Sequence, residues 1–246
     1  MKNLSNKVAL VTRGSRGIGA GIVRRLSNEG AIVAFTFAGN PEKANGLIAE
    51  LESQGGKVIA ILADSASETA LSHAVKKTIS EFGKLDILVN NAGIGTFAPL
   101  EDFSIEDFDK IFAINVRAPF IAIKEAAKHL QRGGRIINIG SINADRMPFA
   151  GGGVYAMSKA AVQGLTRGLA RDFGPLGITI NNVQPGPIDT DMNPASGPFA
   201  EMLMPHISVG RYGTASEVGA MVAFLAGDES GYINGASLDI DGGFGN

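Results

Sequence analysis

The chain has 246 residues, with 22 Lys+Arg against 24 Asp+Glu, a formal net charge of −2 at pH 7 with His neutral. That balance excludes a dominant electrostatic grip on nucleic acid or on an anionic membrane surface. With 0 Cys there is no disulfide, thiolate nucleophile or Cys-ligated zinc, and the three His (His73, His129, His206) have no metal-ligand spacing.

Strand Val8–Val11 opens a series of short apolar runs rich in Val and Ile, without polar alternation. Such runs are expected of strands covered on both faces. A glycine-rich turn follows, Thr12-Arg13-Gly14-Ser15-Arg16-Gly17-Ile18-Gly19, and then a helix over 17–29. Glycines between a first strand and a first helix let backbone close on a phosphate, and the helix N-terminus supplies free N–H groups. Strand Ile32–Phe37 ends in Ala38-Gly39-Asn40 with no Asp or Glu. An acid there would accept from a ribose 2′-OH and repel a 2′-phosphate. Its absence, with Arg13 and Arg16 in the first turn, favours NADP(H) over NAD, although Arg16 reads equally as a solvated surface charge.

Helix 41–54 begins at Pro41, which suits a first helical position. Strand Val58–Leu62, helix 67–82 and strand Leu85–Val89 continue the alternation. In helix 104–130, Ser104 and Asp107 resemble a capping box with Asp for Glu. Inside it, Pro119 leaves the Asn115 carbonyl without its helical donor. That position is either a kink with a water station or the cap of an irregularity. Strand Arg135–Ile139 leads to Ser141, at a carboxyl end where open α/β sheets bind ligands.

On helix 154–173, Tyr155 and Lys159 lie four apart and share a face. A neighbouring ammonium favours phenolate, so it would tune the phenol for proton transfer. Tyr-x-x-x-Lys is common by chance, and the pairing with Ser141 is what raises it. Strand Ile178–Val183 precedes an irregular stretch over 185–213 with five prolines, including Pro185 and Pro187. A loop that long in a compact domain is expected to be a lid or a binding loop. Helix 215–226 and strand Ser237–Ile240 close the chain. Together these elements predict one domain over 1–246, a Rossmann-type doubly wound parallel sheet of about seven strands with helices on both faces. No stretch reaches the ~18 uncharged apolar residues of a membrane span, and a cytoplasmic protein without a membrane or nucleic-acid partner is expected.

These motifs together resemble the short-chain dehydrogenase/reductase family in its compact form. Thr12–Gly19 stands for T-G-x-x-x-G-x-G, joined by Asp64, Asn90-Asn91-Ala92-Gly93, Asn115, Ser141, Tyr155, Lys159, Pro185-Gly186 and Asp241-Gly242-Gly243. The resemblance implies that Tyr155 is the general acid/base, that Lys159 lowers its pKa and holds the nicotinamide ribose, that Ser141 orients the carbonyl, and that Asn115 completes a proton relay. It implies cofactor contacts from residues 13–19, from Phe37, Asp64 and Ser65 near the adenine, and from Asn91, Ala92 and Gly93. Pro185, Gly186, Ile188 and Thr190 would border the nicotinamide, under a lid over 187–212. It also implies a homotetramer or homodimer through helices 104–130 and 154–173.

Arg13 departs from the family's first glycine. It is strained there if φ must be positive, or its guanidinium reaches a 2′-phosphate. The expected substrate walls are Gly95, Phe97, Ala144, Phe149, Val154 and Met192, apolar and suited to a small or medium ketone. Reduction of a 3-oxoacyl carrier protein is an alternative. Arg132 and Arg171 could serve it, but Asp189, Asp191 and Glu201 make the lid acidic. A third reading is regulatory, because Ser141–Pro148 and Gln184–Asp191 resemble a cyclic-di-GMP-binding branch of the family.

Overall fold

The computed structural model describes residues 3–245. Strands β1 (Val8–Val11), β2 (Ile32–Phe37), β3 (Val58–Leu62), β4 (Ile87–Asn90), β5 (Arg135–Ile139), β6 (Thr179–Pro185) and β9 (Ser237–Ile240) form one sheet. Its order is β3-β2-β1-β4-β5-β6-β9, and every pairing is parallel. Parallel neighbours need crossovers, which the helices supply on both faces. On one face α1 (Gly17–Asn28) and α8 (Ala215–Ala226) bury Ile22, Val23, Leu26, Val218 and Val222 against the sheet, joined by Leu47 of α2 (Pro41–Ser53). On the other, α3 (Glu68–Phe82), α5 (Ala118–Ala126) and α6 (Gly153–Phe173) bury Val75, Ala122 and Phe173. Each fully buried aliphatic or aromatic side chain contributes about 1.5–3 kcal/mol.

Strand order reverses between β1 and β4, so the loops after these strands diverge and leave a crevice at their carboxyl ends. The expected sheet is present. Two strands shift: β4 starts two residues later than expected and takes in Asn90, and β6 runs on to Pro185. Asn90 belongs to a buried polar ladder: its Nδ2 donates to Asn138 Oδ1 (2.9 Å), and Asn138 Nδ2 donates to Thr166 Oγ1 (2.9 Å).

The helix expected over 104–130 is not continuous. It divides into α4 (Ile105–Phe112), a π-helical turn (Ala113–Arg117) and α5. Pro119 cannot donate to Asn115, and the ladder absorbs the loss by widening to i→i−5, with Ala118 N–H donating to Ala113. The stretch over 185–213 is not structureless. It contains β7 (Ile188–Asp189), α7 (Pro198–Leu203) and a 3₁₀ turn (Met204–His206), and it reaches β8 (Gly213–Thr214), which pairs with β7. Among the described residues no helix is long and apolar enough to cross a membrane, and no cluster of His, Cys, Asp or Glu could hold a metal ion.

Candidate active site

The crevice opens into a cavity of about 480 Å³, lined by the glycine-rich turn, the β4 and β5 ends, the start of α6 and the lid. That is within the usual size of a small-molecule site, about 300–1,000 Å³. The floor is stapled across the strand reversal. Thr12 Oγ1 accepts from the N–H of Asn91 (2.9 Å) and of Ala92 (3.0 Å), and Asn91 Nδ2 donates to the carbonyls of Thr12 (3.0 Å) and Arg13 (3.1 Å).

The N-terminus of α1 faces this cavity through Arg16, Gly17, Ile18 and Gly19. Asn40, Ser67, Ser104 and Thr214 cap α2, α3, α4 and α8, but no side chain caps α1. Its first N–H groups therefore face the cavity with the positive end of the helix dipole, an arrangement suited to an anion. Gly17 has φ +51°, and a side chain there would be strained.

Arg13 also has positive φ, +53°. Its N–H donates to Thr36 Oγ1 (2.8 Å). One guanidinium nitrogen donates to the Gly93 carbonyl, and the other lies 3.9 Å from Met192 Sδ. The side chain thus crosses the crevice from the turn to the β4 loop. Burial, and next the nearby Arg16, lower its pKa, the signature of a cation lacking a counter-charge.

Tyr155 stands one turn before Lys159 at the start of α6, facing Ser141 after β5. Burial pushes the Tyr155 phenol up, opposed by its hydrogen bond with Ser141. Burial also lowers Lys159 to about 8. Lys159 Nζ donates to the Ile139 carbonyl (3.0 Å) and lies 5.8 Å from the Tyr155 ring centroid. Desolvation is the larger influence on the phenol, with the Ser141 hydrogen bond opposing it. Asn115 lies behind the wall, 1% exposed. Its amide accepts from Ile94 N–H (2.9 Å) and donates to the Ile94 carbonyl (2.9 Å) and to Ser158 Oγ (3.0 Å). A Cβ at Gly93 would sit 3.3 Å from Lys159 Nζ and 3.6 Å from Asn115 Oδ1, so backbone, ammonium and amide are immediate neighbours.

Asn91, Gly93, Gly186, Ile188 and Thr190 line the cavity, as do Gly95, Phe97, Phe149 and Met192. Phe97 packs against Tyr155 (centroids 5.5 Å) and edge-on to Phe149 (5.4 Å), which meets Phe199 (5.5 Å). Several expected residues are not brought to the cavity lining. Gly14 packs under Phe35, Ala92 is buried in the staple, Ser15 and Pro185 adjoin the lining residues Arg16 and Gly186, and Phe37 packs on the core. Asp64 caps the turn after β3, accepting from Ala66 N–H (2.9 Å), with Ser65 buried beside it. Ala144 and Val154 are not part of the lining. Sequence reasoning missed Ser158, Ile94 and Phe199. Ser158 carried a weak signal, being one helical turn past Tyr155, whose carbonyl it bonds (2.7 Å).

A family model described as "Enoyl-(Acyl carrier protein) reductase", of the short-chain dehydrogenase type, matches residues 13–245. The chain belongs to the short-chain dehydrogenase/reductase family. It is 50% identical, over 100% of both chains, to the cyclic-di-GMP-binding biofilm dispersal mediator protein of Escherichia coli. Among solved structures it resembles a short-chain dehydrogenase/reductase from Serratia marcescens (55% identity, TM-score 0.98, covering 99% of this chain and 100% of that one). It also resembles a short-chain dehydrogenase from Burkholderia cenocepacia in complex with NADP (50% identity, TM-score 0.97, covering 99% and 100%).

Proposed function

We propose that this member of the family is an NADP(H)-dependent carbonyl reductase, reversible as an alcohol dehydrogenase, with Tyr155 as the proton donor. The observation that carries this reading is the convergence of Ser141, Tyr155 and Lys159 on one cavity, with the phenol bonded to Ser141 and the ammonium at its ring. The cofactor reading is supported by the uncapped α1 N-terminus, by Arg16, by the missing acid after β2 and by the NADP-bound relative. The turn and the Asn91–Gly93 backbone would hold the dinucleotide, Pro185, Gly186, Ile188 and Thr190 would border its nicotinamide end, and Phe37, Asp64 and Ser65 its adenine end. Bound there, nicotinamide supplies a hydride.

The chain's own residues handle the oxygen and the proton. Ser141 Oγ and the Tyr155 phenol are paired, so a carbonyl oxygen entering between them is held by two donors. A phenol with a raised pKa is protonated at neutral pH, the state needed to donate to a developing alkoxide. Lys159, cationic below about 8, favours the tyrosinate left behind. Asn115 is a positioning residue in this account, fixing Ile94 and the backbone next to Lys159. The rings of Phe97, Phe149 and Phe199 give apolar walls suited to a small or medium ketone or aldehyde, while the acidic lid residues Asp189 and Asp191 disfavour an acidic carrier protein.

The test is NADPH oxidation across ketones, aldehydes and a 3-oxoacyl thioester. Turnover that requires NADPH rather than NADH, and falls at least about 100-fold in Tyr155→Phe, is the expected result. Absence of turnover despite nucleotide binding would sink the reductase reading. A second reading, a cyclic-di-GMP-binding regulator, is favoured by the Escherichia coli relative and by the guanidinium of Arg13 in the crevice. Cyclic-di-GMP displacing NADPH in a competition titration would support it.

Self-association is part of the proposal. A groove of Phe112, Val116, Phe120 and Leu165 lies across α4, α5 and α6, with Phe120 49% exposed. Apolar exposure of this kind suits a homotetramer or homodimer in the cytoplasm, to be measured by sedimentation.

A further inference from the structure

Lys43 is the third residue of α2. A cation in a first turn opposes the helix dipole, so helix stability does not explain it. Its ammonium instead reaches the lid, 148 residues away in sequence, where Nζ lies 2.6 Å from Asp191 Oδ2. Arg16, at the N-cap of α1, also acts on that carboxylate, and both cations hold it below the usual carboxylate range. Asp191 and Met192 form the tip of a turn closed by reciprocal backbone bonds between Thr190 and Asn193 (3.0 and 3.3 Å). Three elements thus meet just past the end of β2, where a dinucleotide fold reads the adenosine ribose. Two of them bring cations, and the third brings the chain's own anion.

We propose that Lys43 joins Arg16 as the clamp for the 2′-phosphate of NADP(H), and that Asp191 occupies this clamp until the nucleotide displaces it. This rests on the NADP(H) reading above. The exchange is favourable on charge alone, because a phosphate monoester carries about −1.5 to −2 at pH 7 against −1 for the carboxylate. It is also easy to initiate. Lys43 and Asp191 are 48% and 62% exposed, and an ion pair so open to water is weakly held. Displacing Asp191 frees the lid tip at the moment the nucleotide arrives, so the 2′-phosphate acts both as recognition element and as release for the substrate cover.

The test uses binding rather than turnover. Calorimetric titrations of 2′,5′-ADP and 5′-AMP, which differ by the 2′-phosphate alone, are run on wild type, Lys43→Met, Lys43→Arg and Asp191→Asn. Lys43→Met is expected to weaken 2′,5′-ADP about tenfold and leave 5′-AMP unchanged, with Lys43→Arg restoring the preference. Asp191→Asn removes the competing anion and is expected to tighten 2′,5′-ADP about threefold, again without effect on 5′-AMP. Equal losses for both ligands in Lys43→Met, no loss at all, or an unchanged or weaker 2′,5′-ADP affinity in Asp191→Asn would overturn the inference while leaving NADP(H) binding intact. A wild type that binds 5′-AMP as tightly as 2′,5′-ADP would overturn both the inference and the NADP(H) preference.

Discussion

The side chains that matter most hold charge in places where water cannot reach them freely. Lys159 is the clearest case, at 5% exposure with a pKa of about 8 against 10.5 when free. The folded chain therefore binds fewer protons than the unfolded chain between about pH 8 and 10.5. Below pH 8 the full cost of burying the ammonium opposes folding, and it is relieved as pH rises through that window. Relative to Lys159→Met, wild-type stability should rise from pH 8 to 10 by at most about 3 kcal/mol. A pH-independent difference in melting temperature between the two proteins would show that the ammonium is not desolvated. Arg13 gives a second prediction. Its left-handed backbone and its bond across the crevice to Gly93 must both be accommodated when a nucleotide enters. Arg13→Gly removes both, so activity should persist and NADPH should bind more tightly, by roughly fivefold for one hydrogen bond of about 1 kcal/mol. Weaker binding in a fluorescence titration would mean instead that the guanidinium turns onto the cofactor. The position was legible as anomalous from sequence alone, but where the side chain goes was not, because Gly93 and Met192 are brought to it only by the fold.

At the scale of elements, what could be read in advance depended on whether the signal was local. Strands β1, β2, β3, β5 and β9 have the expected limits because their apolar runs end where the sheet ends. Strand β4 was displaced because it ends on Asn90, whose polarity is satisfied by Asn138 on the neighbouring strand. The Pro119 defect was visible, but its resolution as a π turn was not, since an interrupted ladder can kink, break or widen. Ser104 and Asp107 form only half of the expected box. Asp107 N–H donates to Ser104 Oγ (3.0 Å), but the Asp107 carboxylate accepts from the hydroxyl (2.8 Å) rather than from backbone, being one methylene too short. The complete box is at α8, where Thr214 Oγ1 accepts from Glu217 N–H (3.2 Å) and Glu217 Oε2 accepts from Thr214 N–H (2.8 Å). Arg211, and after it the Thr214 N–H, hold the Glu217 carboxyl down at about 2. A depressed carboxyl stabilises the fold above its unfolded pKa, and that contribution disappears as pH falls from about 4.5 to 2. Thr214→Ala should lower stability by about 1 kcal/mol at pH 7 and by less at pH 2, measured by urea unfolding. The same loss at both pH values would mean that the cap does not depend on the Glu217 charge.

At the scale of the molecule, the two helices on one face of the sheet are locked by close backbone approach. A Cβ on Gly21 would meet the Ala215 carbonyl carbon at 2.6 Å, and one on Gly219 would meet the Gly21 carbonyl oxygen at 2.7 Å. Neither neighbour is a flexible side chain that could yield. Gly21→Ala should force α1 and α8 apart at a cost of about 1–3 kcal/mol, readable as a lower urea midpoint. An unchanged midpoint would show that the helix pair slides freely. Because α1 also presents its N-terminus to the crevice, the same variant should weaken nucleotide binding.

The staple between Thr12 and Asn91 bears on how the crevice can change. It joins the turn and the β4 loop before any ligand arrives, so little ordering entropy remains to be lost at the floor on binding. Above it, the lid tip is held by the exposed Lys43–Asp191 pair, while Ala200, Leu203 and Ile207 anchor the rest of the lid on Ile142 and Phe244. The chain therefore divides into a preorganised base, an anchored lid and an adjustable tip at Asp191 and Met192. New substrate scope could be drafted into residues 190–193 without retuning the chemistry beneath, whereas a change at Thr12 or Asn91 would loosen every function at once.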